Sequence, residues 1–161
     1  AFPLSCIIRF RFPDMENLPS FDLFWYDGGM KHATPDEVFA EGGSLEKEGL
    51  MFVGDKGRII GQFRGEKPVL YIAGKRSVQE EAISGPEEQD TRDIWVTSIK
   101  NNTQSPGSFT LAGPVTETIL LGAVALRAGR RLEYDSVNMK ITNYPEADKY
   151  LTREYRKGWE L

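Results

Sequence analysis

Five side chains stand close enough in the sequence to act together. Trp25, Tyr26, Asp27, Lys31 and His32 bracket the turn signal Gly28-Gly29. An indole and a phenol offer flat faces to a ring-shaped ligand, while a carboxylate, an ammonium and an imidazole offer hydrogen bonds. Turn residues carried on a rigid sheet are where binding groups collect, so these five read as a lining for a small polar substrate. A simpler reading makes them packing and turn groups: the two rings packed, Asp27 opening the turn, Lys31 and His32 in solvent. Other reactive types are scarce. Cys6 is the only cysteine and His32 the only histidine, which excludes an internal disulfide and a cysteine- or histidine-rich metal site. Within Cys6-Ile7-Ile8-Arg9-Phe10 the thiol reads as a small core residue.

Motifs for self-contained catalysis are missing. No G-x-G-x-x-G follows a strand, and no G-x-x-x-x-G-K-[ST], G-x-S-x-G or H-E-x-x-H occurs. The nearest glycine pattern, Gly54, Gly57 and Gly61, falls in a hairpin signal and cannot set a pyrophosphate at a helix N-terminus. Paired carboxylates occur only between Gln79 and Asp93. Six acids there (Glu80, Glu81, Glu87, Glu88, Asp90, Asp93) face one base, Arg92, a local net of −5. Such runs are solvated surface. Asn101-Asn102-Thr103 matches a glycosylation sequon, which matters only on a eukaryotic secretory route.

The elements that must position these groups follow from periodicity. Ser5–Phe12 alternates, with Ile8, Phe10 and Phe12 on one face and Ile7, Arg9 and Arg11 on the other, which predicts a half-buried strand. Phe21–Tyr26 predicts a second. Leu50–Val53 and Arg58–Phe63 flank Gly54-Asp55-Lys56-Gly57, a hairpin in which Gly57 is expected to turn left-handed. Val69–Ile72 predicts a further strand. Asp90–Asn101 then reads as a short amphipathic helix with Trp95 and Ile99 one turn apart. Pro114–Ala128 reads as a largely buried helix with proline at its first position and Gly129 past its end. Arg127, Arg130 and Arg131 suit its carbonyl end. Leu132–Tyr134 and Met139–Thr142 predict short strands, and Pro145–Leu151 opens a last helix.

Composition sets the outer limits. With 161 residues, 40% hydrophobic, 27% charged and net −4, the chain reads as one domain able to bury roughly 70% of its unfolded surface. A sequence pI near 5.2 argues against nucleic acid as a partner. The longest near-apolar run, Ile119–Leu126, falls well short of the roughly 20 residues of a membrane span, so no membrane partner is expected. The first residue is Ala1 rather than Met, and no export signal follows it. The chain is therefore expected to be a processed protein or an excised piece, in cytoplasm or periplasm.

The ordered motifs carry a resemblance. Phe24-Trp25-Tyr26-Asp27-Gly28-Gly29 leads to Pro35-x-Glu37, then to Gly49-Leu50-Met51-Phe52-Val53-Gly54-Asp55-Lys56-Gly57. Ala112-Gly113-Pro114-x-Thr116-Glu117-x-x-Leu120-Leu121-Gly122-x-x-Ala125-Leu126-Arg127 follows. The end reads Thr142-Asn143-x-Pro145-Glu146-Ala147, then Tyr150-Leu151-x-Arg153-Glu154-Tyr155-Arg156-Lys157-Gly158-Trp159. This series resembles the C-terminal domain of bacterial Gfo/Idh/MocA-family oxidoreductases across nearly the whole chain.

The resemblance implies an α+β fold of the glucose-fructose oxidoreductase type: a two-layer sandwich with an open, mainly antiparallel sheet and helices on one face. About five to seven strands are expected. It implies a parent enzyme whose N-terminal Rossmann domain binds NAD or NADP, with no cofactor in this piece. That parent would move hydride to or from a sugar-like or cyclic polyol substrate, and this piece alone would be inactive. The open sheet face would make a homodimer or higher homo-oligomer, and the edge loops, with Trp25 to His32, would line the substrate pocket. No residue here matches the family's catalytic histidine. His32 stands where relatives often carry proline, and Ser108-Phe109-Thr110-Leu111 replaces a more polar Asn-Phe-Asp-Tyr. Two alternatives stay open: a domain of an NAD-dependent glycoside hydrolase of the same family, and a stand-alone carbohydrate-binding or oligomerisation module with Trp25, Tyr26 and Tyr71 as a platform.

Overall fold

The computed structural model describes residues 2–63, 68–77 and 90–159; the acidic run at 79–89 lies outside them. Packing divides the chain into two compact units. One holds residues 2–3, 8–24 and 90–159, the other residues 4–7 and 25–77. The class is α+β with open antiparallel sheets, as expected. Among the described residues eight strands form sheets of two, four and two strands, rather than one sheet of five to seven.

The alternation at the chain start becomes β1 (Cys6–Phe12), paired with β2 (Phe21–Asp27); residues 8–12 and 21–24 of this hairpin belong to the first unit. The even-numbered side chains of β1 are half-buried and the odd-numbered ones exposed, as a strand with one covered face requires. On the exposed side Arg9 donates to both carboxylate oxygens of Asp22, at 3.0 and 2.6 Å, and lies over the Phe24 ring. On the other side Phe12 stacks on Phe21 at 4.6 Å. Ile8 and Phe10 reach the long helix at Gly122, where an added Cβ would come within 2.9 Å of the Phe10 ring and 3.0 Å of Ile8. Glycine is what lets strand and helix approach.

Two helices follow in this unit. In α2 (Thr91–Asn101) the Asp90 side chain accepts from the Arg92 N–H at 2.9 Å, and Asn102 in the left-handed conformation ends the helix. That gives the sequon a structural reason: its middle residue is a helix cap. The long helix, α3 (Phe109–Ala128), begins five residues before the expected Pro114, which lies inside it. The Ser108 carbonyl accepts from the Leu111 and Ala112 N–H groups, closing the first turn. Proline lies past the first turn and removes one bond, the one its N–H would make to the Thr110 carbonyl. Gly129 caps the other end with φ +67° and bonds the Ala125 carbonyl, and Arg127 sits in the last turn, as expected.

The expectation that this helix is largely buried is not met. Gly122 and Val124 are buried, but Val115, Ile119 and Leu120 are exposed, and so are Trp95 and Ile99 of α2. A single stripe of α3 serves the core, so an apolar composition does not translate into burial all round. By length and composition alone α3, with mean hydropathy 1.6, is long and apolar enough to cross a membrane, a measure that core helices also meet. Glu117 within it receives a hydrogen bond from the Tyr134 hydroxyl.

The rest of the unit is a small clip. β7 (Tyr134–Asp135) pairs with β8 (Lys140–Ile141), and a 3-10 helix, Pro145–Tyr150, takes the place of the expected last α-helix. Asn143 accepts from the Glu133 N–H and donates to the Arg131 carbonyl, while Asp148 accepts from the Ile141 N–H at 2.8 Å. Ile141 and Ala147 are the most buried residues here.

The second unit is a meander. β3 (Gly49–Val53), β4 (Gly57–Gln62), β5 (Val69–Ile72) and β6 (Lys75–Ser77) pair antiparallel in chain order. Gly57 is not left-handed as expected. It opens β4, opposite Ile72, and an added Cβ would lie 1.9 Å from the Tyr71 carbonyl oxygen. The residue is glycine because two backbones meet there. The left-handed pair is instead Ala73 (φ 49°) and Gly74 (φ 73°), the two-residue turn that sends β5 into β6, a strand the sequence did not announce. A short helix, α1 (Asp36–Ala40), was also unannounced. It ends in Gly42 (φ 74°), with the Gly43 N–H bonding back to the Val38 carbonyl.

Candidate functional site

The turn after β2 is built by close approach. Gly28 and Gly29 have φ 66° and 85°, and a Cβ on Gly28 would sit 2.1 Å from the Leu4 carbonyl oxygen. No other residue type fits there. Asp27 accepts from the Gly28 N–H at 2.7 Å, and the Met30 N–H returns to the Asp27 carbonyl. Asp27 thus opens the turn and keeps its second carboxylate oxygen as an acceptor.

The five expected residues divide rather than converge. Side chains alternate along a strand, so Trp25 and Asp27 leave β2 on one face and Tyr26 on the other. Tyr26 meets His32 edge-to-face, ring centroids 6.2 Å apart. Trp25 is 49% exposed. The Lys31 ammonium donates to the Leu45 carbonyl at 2.9 Å, pinning the loop that follows the turn. His32 Nδ1 lies 2.6 Å from the Ala33 carbonyl. A carbonyl only accepts, so Nδ1 is the donor in this contact, and in the uncharged tautomer that leaves Nε2 as the acceptor. The set can therefore do two things. Tyr26 with His32 offers an aromatic corner with one acceptor, and Trp25 with Asp27 offers an open ring face beside a carboxylate. Both suit hydroxyl-bearing rings.

A second constellation in this unit was missed. The register places Arg58, Tyr71 and Arg76 directly opposite one another across β4, β5 and β6. Two glutamates four residues apart, Glu37 in α1 and Glu41 at its end, come down on this row. Arg58 donates to Glu37, the Tyr71 hydroxyl donates to Glu41 at 3.1 Å, and Arg76 stands 3.8 Å from Glu41. A backbone N–H bond and then the Arg58 guanidinium hold the Glu37 carboxyl below the usual carboxylate range. Burial, reinforced by Glu41, pushes the Tyr71 hydroxyl above its ordinary value. Tyr71 is 5% exposed, so it is no part of an exposed carbohydrate platform. The signal available in the sequence was the Glu37/Glu41 spacing, but without β6 nothing put Arg76 in the row. Each charge here meets an opposite one, so the network fixes α1 to the sheet and presents little to a ligand.

The opposite face of the meander is different. Leu50, Phe52, Ile59 and Ile72 lie on it and are exposed, Phe52 at 65%. Two hollows bear on ligand binding. One, of about 320 Å³, is lined by Glu46, Lys47, Glu48, Gln62 and Phe63. The other, of about 530 Å³, is lined by Arg153, Glu154, Tyr155, Arg156 and Trp159. Neither includes the five residues around the Gly28-Gly29 turn.

Compared with known proteins, the chain matches no family profile, no curated protein and no solved structure. Chemistry within the chain is limited in a defined way. Among the described residues no three His, Cys, Asp or Glu side chains are grouped to hold a metal. Cys6 is a half-buried thiol in β1. Gly54, Gly57 and Gly61 serve a hairpin and close backbone approach within the sheet rather than a phosphate-binding loop.

Proposed function

We propose that this chain is the substrate-side and oligomerisation domain of an NAD(P)-dependent oxidoreductase acting on a sugar-like or cyclic polyol substrate. The observation that carries this reading is the four-stranded sheet. One face is held by Glu37 and Glu41, while the other is left apolar and exposed. An unpartnered apolar face on an open sheet calls for a second subunit, and the motif order resembles a family with that architecture. The acceptors at Asp27 and His32 and the open face of Trp25 suit hydroxyl groups on a saturated ring.

The reaction would break a C–H bond at a secondary alcohol. The group that accepts the hydride and the base that takes the hydroxyl proton would both be supplied by a further domain outside this chain. This chain would orient the ring and close the oligomer. The test is to extend the chain upstream in its reading frame and assay reduction of NAD⁺ and NADP⁺ with a panel of sugars and inositols. Turnover by the extended chain, with none by residues 1–161 alone, supports the reading. Hydrolysis of nitrophenyl glycosides without net reduction would replace it with the glycosidase. A reading frame that starts at residue 1 and yields a protein that binds sugars without turnover would replace it with a carbohydrate-binding module, a role the exposure of Trp25 also favours.

A further inference from the structure

Arginines in this chain fall into two groups. Among the described residues Arg9, Arg11, Arg58, Arg76, Arg92 and Arg131 each lie within 4 Å of a carboxylate. Arg127, Arg130, Arg153 and Arg156 form no ion pair; each instead lies over an aromatic ring, Tyr150, Tyr144, Tyr155 and Trp159 respectively, at 4.2–5.0 Å. All four fall in the last part of the first unit, and two of them line the 530 Å³ hollow together with both of their rings.

We infer that this hollow, formed by Arg153, Glu154, Tyr155, Arg156 and Trp159, is a binding site for a sugar ring bearing one anionic group, a carboxylate or a phosphate. A guanidinium over a ring face is not neutralised by that ring, so its N–H groups remain to meet the paired oxygens of a carboxylate or phosphate. Arg153 and Arg156 stand 5.0 and 4.4 Å from the centroids of their rings, and among the described residues no carboxylate pairs with either. The lining carries two positive charges against the single negative charge of Glu154, so an anion is favoured over a neutral or cationic ligand. Trp159 is 64% exposed. Arg156 stands 4.4 Å over the indole, which leaves the rest of that surface to receive the C–H face of a saturated ring. Glu154 supplies an acceptor for ring hydroxyls. The volume exceeds that of a monosaccharide phosphate and lies within the usual range for small-molecule sites. The choice of a sugar rests on the proposed function; the anionic group rests on the arginines.

The experiment titrates residues 1–161 with glucose 6-phosphate, glucuronate, glucose and inorganic phosphate, following the three tryptophan indole N–H signals by NMR. Binding at the hollow moves the Trp159 signal with glucose 6-phosphate, glucuronate or both, and at least tenfold more weakly with glucose or phosphate alone. Which of the two anionic sugars binds more tightly identifies the anionic group. Arg156→Gln and Arg153→Gln each weaken that binding tenfold or more and leave the folded spectrum intact, both positions being exposed. Equal binding of inorganic phosphate would reduce the site to an adventitious anion contact and overturn the inference. So would a Trp159 signal unmoved by either anionic sugar. A Trp25 signal that moves with neutral sugars while Trp159 stays still would overturn the inference and leave the proposed function standing.

Discussion

Gly57→Ala separates two ways of reasoning about a glycine in a strand. On propensity alone, replacing glycine by alanine inside a strand gains roughly 0.5–1 kcal/mol. The structure reverses the sign. The new Cβ would lie 1.9 Å from the Tyr71 carbonyl oxygen and 3.0 Å from its carbon, and a backbone carbonyl cannot rotate away as a side chain can. Relief requires β4 and β5 to separate at the Gly57–Ile72 pair. Overpacking of this kind costs about 1–3 kcal/mol, and the neighbouring bonds from Ala73 to Lys56 and from Gly54 to Gly57 add about 1 kcal/mol each if lost. With both bonds lost and the propensity gain subtracted, the net loss is about 2–4.5 kcal/mol, a fall in Tm of roughly 4–18 °C for a chain of this length. Two neighbours calibrate the measurement. Gly74 has φ 73° and open space around its Cβ position, so Gly74→Ala costs about 1–2 kcal/mol from handedness alone. Gly54 has its nearest neighbour at 3.9 Å and no positive φ, so Gly54→Ala changes stability by less than about 0.5 kcal/mol. Urea unfolding read by amide exchange in β4 and β5 ranks the three. Gly57→Ala matching or exceeding the parent in stability would refute the close-approach argument.

Three other outcomes follow from separate features. Burial, then the hydrogen bond to Glu117, pushes the Tyr134 hydroxyl up to about 12; because the folded value lies above the ordinary one near 10, the stability it contributes is complete below about pH 10. It is lost as pH rises toward 12, and phenolate absorbance of Glu117→Gln should show one tyrosine titrating earlier than in the parent. Ala73 holds φ 49° beside Gly74, so Ala73→Asn should gain roughly 0.5–1 kcal/mol in thermal unfolding by supplying a residue that tolerates that conformation. Phe52→Lys places a charge in the middle of the exposed apolar face; sedimentation at increasing concentration should show the parent as a dimer or larger and the variant as a monomer, and a monomeric parent at high concentration would remove the face as an oligomer contact.

The strands were legible where pattern and turn chemistry agreed. β1 announced its buried side through Ile8, Phe10 and Phe12, and β5 fell on Val69–Ile72 as read. β6 and α1 were not legible, being only three and five residues long, and too short to show a period. The start of α3 was misplaced because proline is commonest at a first helical position, whereas here the Ser108 carbonyl closes an extra turn ahead of it. Its exposure was hidden for a different reason: an apolar sequence records what a residue tolerates, not whether a neighbour arrives to cover it. The candidate site was half legible. Gly28-Gly29 marked the turn correctly, but strand alternation, applied to Trp25 and Tyr26, already sends them to opposite faces, and proximity in sequence obscured that. The Arg58–Tyr71–Arg76 row depended on register across three strands, a long-range quantity that no local window contains. Several motif residues turned out to have structural duties: Gly28, Gly57 and Gly122 permit close approach, and Asn143 joins the segments on either side of Leu132.

The pairing of Ile8 and Phe10 with Gly122 also sets a schedule for synthesis. Every strand of the meander pairs with its neighbour in sequence, so each closure spans a short loop and proceeds quickly once the chain has emerged. On the apolar side of β1 Phe12 has a local partner in Phe21, but Ile8 and Phe10 do not. Phe10 waits for a residue made 112 positions later, and at roughly 5–20 residues per second that is on the order of ten seconds. For that interval Ile8 and Phe10 of the nascent chain lack the helix that later covers them. A chaperone binding short apolar strands would find its target there, and crowding of ribosomes on one message would be most hazardous at that stage.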